Sequence, residues 1–312
     1  MTSSPVRPWG IAWGSLLTLL GIVGTWVMWR SFVATATGQV LDHNALLGSE
    51  IGRGRLWQFA EPLLDIVSIP FIVGVLGAAI VIAIIRRRSV LAIQVAMIVG
   101  GANVTTQVLK YLVLDRPTLV DDAAYSSNSL PSGHTTVMAS VAFALILLVP
   151  PSLRALTALL AAGIAAGGGI ATMIGGWHPP SDVVAAILVV LTWAGIATIV
   201  TAVLPPERGA DELAAGVGST ISATALVVLG MASAVAAGAG LGRTEEALDE
   251  HGDELTDRAD LAVAYGGGVI GVVAVVAISV ALLLIAHGAA SRPRSGSPRH
   301  ARQSAQLEPP EG

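Results

Sequence analysis

Eight stretches of this chain are long and apolar enough to be read as bilayer-crossing segments, and nothing else in the sequence constrains its fold as tightly. They run Trp9–Phe32, Leu63–Ile85, Val90–Leu114, Thr135–Val149, Arg154–Ile174, Asp182–Leu204, Gly218–Leu241 and Asp260–His287. About 20 mostly apolar residues in a helix cover the hydrocarbon core. In lipid each backbone N–H and C=O must be satisfied within its own segment, which leaves the α-helix as the form such runs take. The expected fold is therefore all-α, a polytopic membrane helical bundle. Composition agrees. Only 12% of the 312 residues are charged and 54% are hydrophobic, whereas soluble domains carry roughly 25% charge, and the mean hydropathy is +0.74.

Several function classes drop out at once. There is no cysteine, so disulfide scaffolds, thiolate metal sites and cysteine nucleophiles are excluded. A net charge of −4 with no long basic block argues against nucleic acid as a partner. The first apolar run follows Arg7 and precedes Ala34-Thr35-Ala36, a pattern shared with secretory signals. It is longer than a signal's core of about 7–15 residues, and Trp9, Trp13, Trp26 and Trp29 mark its two ends as interfacial belts do. It reads as a retained span.

Arginine sets the orientation. Arg7, the Arg86-Arg87-Arg88 run, Arg154, Arg208 and the tail arginines 292, 294, 299 and 302 fall on one side if the span count is even. The positive-inside rule makes that side cytoplasmic. The acidic stretch from Arg243 to Asp260 then forms an outer loop. Arg53 and Arg55 are the outer exceptions, and their neighbours Leu56, Trp57 and Phe59 suggest a segment lying on the membrane surface. Residues 291–312, rich in Pro, Ser, Gly and Arg, have too little apolar content to fold. Gly163/Gly167 and Gly267/Gly271, each four apart, are expected to let helices approach closely.

In such a bundle, chemistry must be sought in the polar residues it tolerates, and these form three islands. Lys110, the only lysine beside sixteen arginines, shares a helix face with Asn103 and Gln107 and precedes Asp115-Arg116-Pro117. Lys110 and Arg116 read equally well as side chains snorkelling to the interface at a helix end. Asn128-Ser-Leu-Pro131-Ser132-Gly133-His134 opens the fourth span. A helix start of this kind presents free N–H groups and positive dipole to a phosphate, although it is also an ordinary capped start. His178-Pro-Pro-Ser-Asp182 opens the sixth span. A carboxylate four residues along reaches the imidazole, fixes its tautomer and frees the other nitrogen as base or nucleophile; the same Asp would also complement the helix dipole. His134 and His178 are 44 positions apart, which fits one span inward and one back, about 40 residues. All three islands then meet at one face.

These islands, in this order, resemble the type 2 phosphatidic acid phosphatase superfamily, the membrane lipid phosphatases and their haloperoxidase relatives. Pro131-Ser132-Gly133-His134, His178-x-x-x-Asp182, Lys110 and Arg116-Pro117 carry the resemblance. It implies a six-span phosphatase-like core over residues 1–208; the two additional spans over 209–290 and the disordered basic tail over 291–312 are expected to lie outside it. It implies that His178 attacks phosphorus to form a phosphohistidine, that Asp182 orients it, and that His134 protonates the leaving group. Lys110, Arg116, Ser132 and Gly133 would bind the phosphate, with no metal and no cofactor. The implied activity is hydrolysis of a lipid phosphate or pyrophosphate at the outer face of the cell (inner) membrane. Two departures matter. Five residues separate Lys110 from Arg116 where the family has six, which calls for an irregular helix end. Ala171 and Thr172 stand where the family has Ser-Arg. The second departure keeps two alternatives in view: a lipid-phosphate binding or transport protein without turnover, and a phosphotransferase.

Overall fold

The computed structural model describes residues 7–65, 88–120, 128–204 and 217–291, with positions 74, 77, 78, 81 and 85 between the first two stretches. Nine helices are defined there: α1 Pro8–Val33, α2 Ala36–Leu47, α3 Glu50–Asp65, α4 Ser89–Val113, α5 Gly133–Leu148, α6 Pro151–Ile174, α7 Pro180–Val203, α8 Val217–His251 and α9 Arg258–Ser291. No strand occurs among the described residues. Six helices are long and apolar enough to cross a membrane (α1, α4, α6, α7, α8 and α9), and α5 is a shorter apolar helix. The chain is an all-α, multi-pass membrane protein. The expected second span, Leu63–Ile85, lies for the most part outside the described residues, as do Arg86, Arg87, Arg208 and the tail.

The boundaries follow local chemistry. Pro8, Pro151 and Pro180 sit at the first turns of α1, α6 and α7, where a missing N–H costs nothing. Helix α5 begins at Ser132, whose hydroxyl accepts from the Thr135 N–H. Helix α7 is the hub: α1, α5 and α9 all pack along it, and its Val183, Ile187 and Val190 are completely buried. Gly14 of α1 and Gly195 of α7 allow close approach, since a Cβ on Gly14 would stand 2.7 Å from the Gly195 carbonyl.

Three expectations need correcting. The acidic stretch is mostly not a loop: α8 runs on through Glu245, Glu246, Asp249 and Glu250 to His251, and only residues 252–257 turn back to α9. Ala, Leu and Glu are strong helix formers, and the helix stops where Gly252 takes φ +94°. Gly163 and Gly167 face open space rather than a neighbour, and the close packing on α6 falls at Gly168 and Gly169 against Met138 and Val183. Gly267, by contrast, does meet Gly240 of α8, its would-be Cβ lying 3.5 Å from the Gly240 Cα. Arg154, expected in the short turn after the fourth span, lies in the first turn of α6 and is 2% exposed.

The segment before the second span that carries Arg53 and Arg55 is helix α3. Phe59 is 68% exposed and Leu56 also faces outward, while Trp57 turns inward to meet Trp177 edge-on at 6.0 Å.

Candidate active site

The three polar islands come together at one end of the bundle, and hydrogen bonds tie them. The polar face of α4 points at α5: Asn103 Nδ2 donates to Ser140 Oγ (3.2 Å), and Thr106 and Thr136 share a hydrogen bond of 2.9 Å. Gln107 lies against Gly133. Asn128 then closes the corner. Its Nδ2 donates to the carbonyls of Leu114 (3.0 Å) and Leu130 (2.9 Å), joining the end of α4 to the loop that enters α5. Lys110 lies in the last turn of α4, which widens into a π-helix over Leu109–Val113, with the Leu114 N–H reaching back to the Leu109 carbonyl (2.9 Å). This is the irregular helix end that the short Lys110–Arg116 spacing calls for. π-Turns are rare and frequent at functional sites.

The second and third islands touch directly. The Ser132 N–H donates to the Asp182 carbonyl (3.0 Å), so the starts of α5 and α7 are stitched side by side. His178 Nδ1–H donates to Asp182 Oδ2 at 2.7 Å. His178 is 7% exposed and Asp182 completely buried, so the pair works at low dielectric and the remaining ring nitrogen, Nε2, carries the lone pair. Asp182 Oδ1 is buried with no hydrogen bond among the described residues. His134 sits one residue into α5, its ring 5.2 Å from that of Trp177, and it lies within electrostatic reach of both His178 and Lys110. Ser132 is buried; its Oγ accepts from the Thr135 N–H and Oγ1–H. The first N–H groups of α5 face this end, as the opening of a helix requires.

Lys110, Arg116, Ser132, Gly133, His134, His178 and Asp182 are thus all at this end. Lys110 is on the His134 side. Arg116 is within electrostatic reach of the buried Asp42 of α2. The Ser-Arg departure is structural as well: Ala171 and Thr172 are buried, and the Thr172 hydroxyl donates to the Gly169 carbonyl (2.7 Å). Neither presents a cation.

Sequence reasoning missed two contributors. On α2, Gln39 Nε2 donates to the Pro117 and Val33 carbonyls (both 2.7 Å), which holds the Arg116-Pro117 segment, and Asp42 takes the Ser181 hydroxyl and, at 3.4 Å, the Ser181 N–H. On α3, Arg53 Nε donates to the Ile174 carbonyl (3.1 Å) and Nη2 to Ser49 Oγ (2.7 Å). Its guanidinium lies where a Cβ on Gly176 would project, and Gly176 has φ +70°. Only glycine suits that position on both counts. The α2 run Gln39–Asp42, polar at three-residue spacing in a short helix, was the one signal available. Among the described residues no group of His, Cys, Asp and Glu has the arrangement of a metal site.

A multi-pass helical membrane protein whose two histidines open adjacent helices beside a buried carboxylate is the class that fold and site define. Residues 90–205 match the model of the PAP2 superfamily, a stretch that takes in α4 to α7 and all three islands. The match leaves α1–α3 and α8–α9 outside it. No curated protein and no solved structure gives a significant match.

Proposed function

We propose that this protein is a PAP2-type phosphatase that hydrolyses a lipid phosphate or pyrophosphate of polyprenyl or glycerolipid type. The observation that carries the reading is the His178–Asp182 hydrogen bond of 2.7 Å held against the Ser132–His134 helix start by the Ser132-to-Asp182 contact. His178 Nε2 attacks phosphorus, the bond from phosphorus to the leaving oxygen breaks, and His134 delivers its proton to that oxygen. Asp182 stabilises the imidazolium that forms. Water, deprotonated by His134, then attacks the phosphohistidine, releasing inorganic phosphate and restoring His178. Lys110, Arg116, the Ser132 hydroxyl and the Gly133 N–H stabilise the charge on the phosphoryl oxygens. No metal or cofactor enters this scheme. The arginine distribution supports an active face outside the cytoplasm, where a head group would meet the site while its chains remain in lipid.

The test is phosphate release from a panel of lipid phosphates and pyrophosphates by purified wild type and His178→Ala. Turnover by wild type and at least about a thousandfold less by the variant is expected; equal release rejects the assigned nucleophile. The buried Thr172 supports a second reading, lipid-phosphate binding without turnover. That reading predicts saturable binding with no phosphate released, unchanged in His134→Ala. Phosphoryl transfer would instead appear as a phosphorylated acceptor in place of free phosphate.

A further inference from the structure

We propose that Asp42 is a positioning residue of this site: through Ser181 it fixes the first turn of α7 and so aims Asp182 at His178. The inference rests on the reading above for its catalytic consequence, and on geometry for the rest. Helix α7 has no side-chain cap of its own, since its N-cap is Pro179 and its first residue Pro180. The only carboxylate in its first turn, Asp182, is committed to His178. The acceptor that a helix start requires therefore comes from another helix. Asp42 Oδ1 takes the Ser181 N–H and Oδ2 the Ser181 hydroxyl. One turn earlier on the same helix, Gln39 holds the Pro117 carbonyl next to Arg116. Helix α2 thus brackets the two segments that must face one phosphoryl group, although it lies outside the stretch matched by the family.

The surroundings of Asp42 are specific. Asp182 and Ser181 face it from α7, and Arg116 from the segment after α4. It also borders a cavity of about 240 Å³ lined by Leu41, Val184, Leu241 and Gly268. Burial, reinforced by the negative charge of Asp182 and opposed by the Ser181 hydrogen bonds and Arg116, pushes its carboxyl up to about 8. Near neutral pH this favours the protonated carboxyl, which leaves Asp182 as the negative charge behind His178. Ionisation above that range adds a second one where an anionic substrate must approach.

The experiment compares wild type, Asp42→Ala, Asp42→Asn and His178→Ala in detergent or nanodiscs. Two readouts are used: kcat and KM on a lipid phosphate from pH 6 to 10, and the low-field proton resonance of the His178–Asp182 hydrogen bond. Asp42→Ala is expected to lower kcat about 10- to 100-fold with KM little changed, as a misaimed catalytic group does, and to weaken or abolish the resonance. The amide of Asp42→Asn can accept from the Ser181 N–H and donate to its hydroxyl. That variant is expected to retain kcat and the resonance at pH 7 and to lack the wild-type fall in kcat above pH about 8. Wild-type kcat and resonance in Asp42→Ala would overturn the proposal, as would an alkaline fall shared by wild type and Asp42→Asn. If Asp42→Ala does not fold, the Asp42→Asn pH profile decides. If wild type releases no more phosphate than His178→Ala, the functional reading fails by itself, and the resonance alone judges Asp42.

Discussion

Helices α5 and α7 start side by side and carry the two histidines, yet they are capped in opposite ways. Helix α5 is capped from within, by Ser132 three residues before the Thr135 N–H it serves. Helix α7 is capped from α2, by the Asp42 carboxyl group 139 residues away in sequence. The difference follows from what each start is asked to do. Ser132 can cap its own helix, and in the proposed function that helix start offers its N–H groups to an anion. Asp182 would be the natural cap of α7, but its carboxylate is aimed back at His178. A residue committed to orienting an imidazole cannot also cap its own helix, so another element supplies the cap.

The largest break in that comparison is Asp182→Asn. The amide holds the imidazole in the wrong tautomer, and kcat is expected to fall about 10³- to 10⁴-fold, as in the analogous carboxylate-to-amide change of a catalytic triad. A phosphate-release assay at matched expression measures it.

Stability against pH separates the remote cap from the local one. The folded-state value for Asp42, about 8, lies above its ordinary 3.8. Below 3.8 both folded and unfolded chains hold the proton. Between about 4 and 8 the folded chain keeps a proton that the unfolded chain has released, so stability falls as pH rises, and above that window the difference is constant. Wild type is expected to lose stability relative to Asp42→Asn across that window in thermal unfolding scans. Ser132→Ala, which removes a neutral cap, is expected to differ from wild type by the same amount at every pH.

Gly176→Ala sharpens the comparison at the loop that feeds α7. Holding φ at +70° costs an L residue about 1–2 kcal/mol, and the new methyl overlaps the Arg53 guanidinium. A lower unfolding temperature is expected, with partial recovery in Gly176→Ala/Arg53→Ala if the clash contributes. The smallest effect is that of Ser132→Ala itself, about 1 kcal/mol for the lost cap. A rise in KM accompanies it if the hydroxyl also binds phosphate.

Much of this molecule was readable from its residues in order. Long apolar runs dictated an all-α membrane bundle because lipid offers the backbone no other partner, and seven of the eight runs correspond to described helices. The spacing of Lys110, Arg116, His134, His178 and Asp182 fixed which helix ends carry the polar groups, since periodicity and span length are local quantities. The π-turn at Leu109–Val113 was foreshadowed by one missing residue between Lys110 and Arg116.

Tertiary structure alone decided the rest. Asp42 reads in sequence as one acid in a short mixed helix, and Arg53 as an outlier in the charge pattern. Their roles depend on which surface α2 and α3 fold against, and that is set by packing on α7 and α6, over separations of 139 and 121 residues. The burial of Arg154 was not legible for the same reason, because burial is a property of neighbours and not of position in the chain. Local rules name the groups that can do chemistry; only the folded bundle says which distant side chain holds them in place.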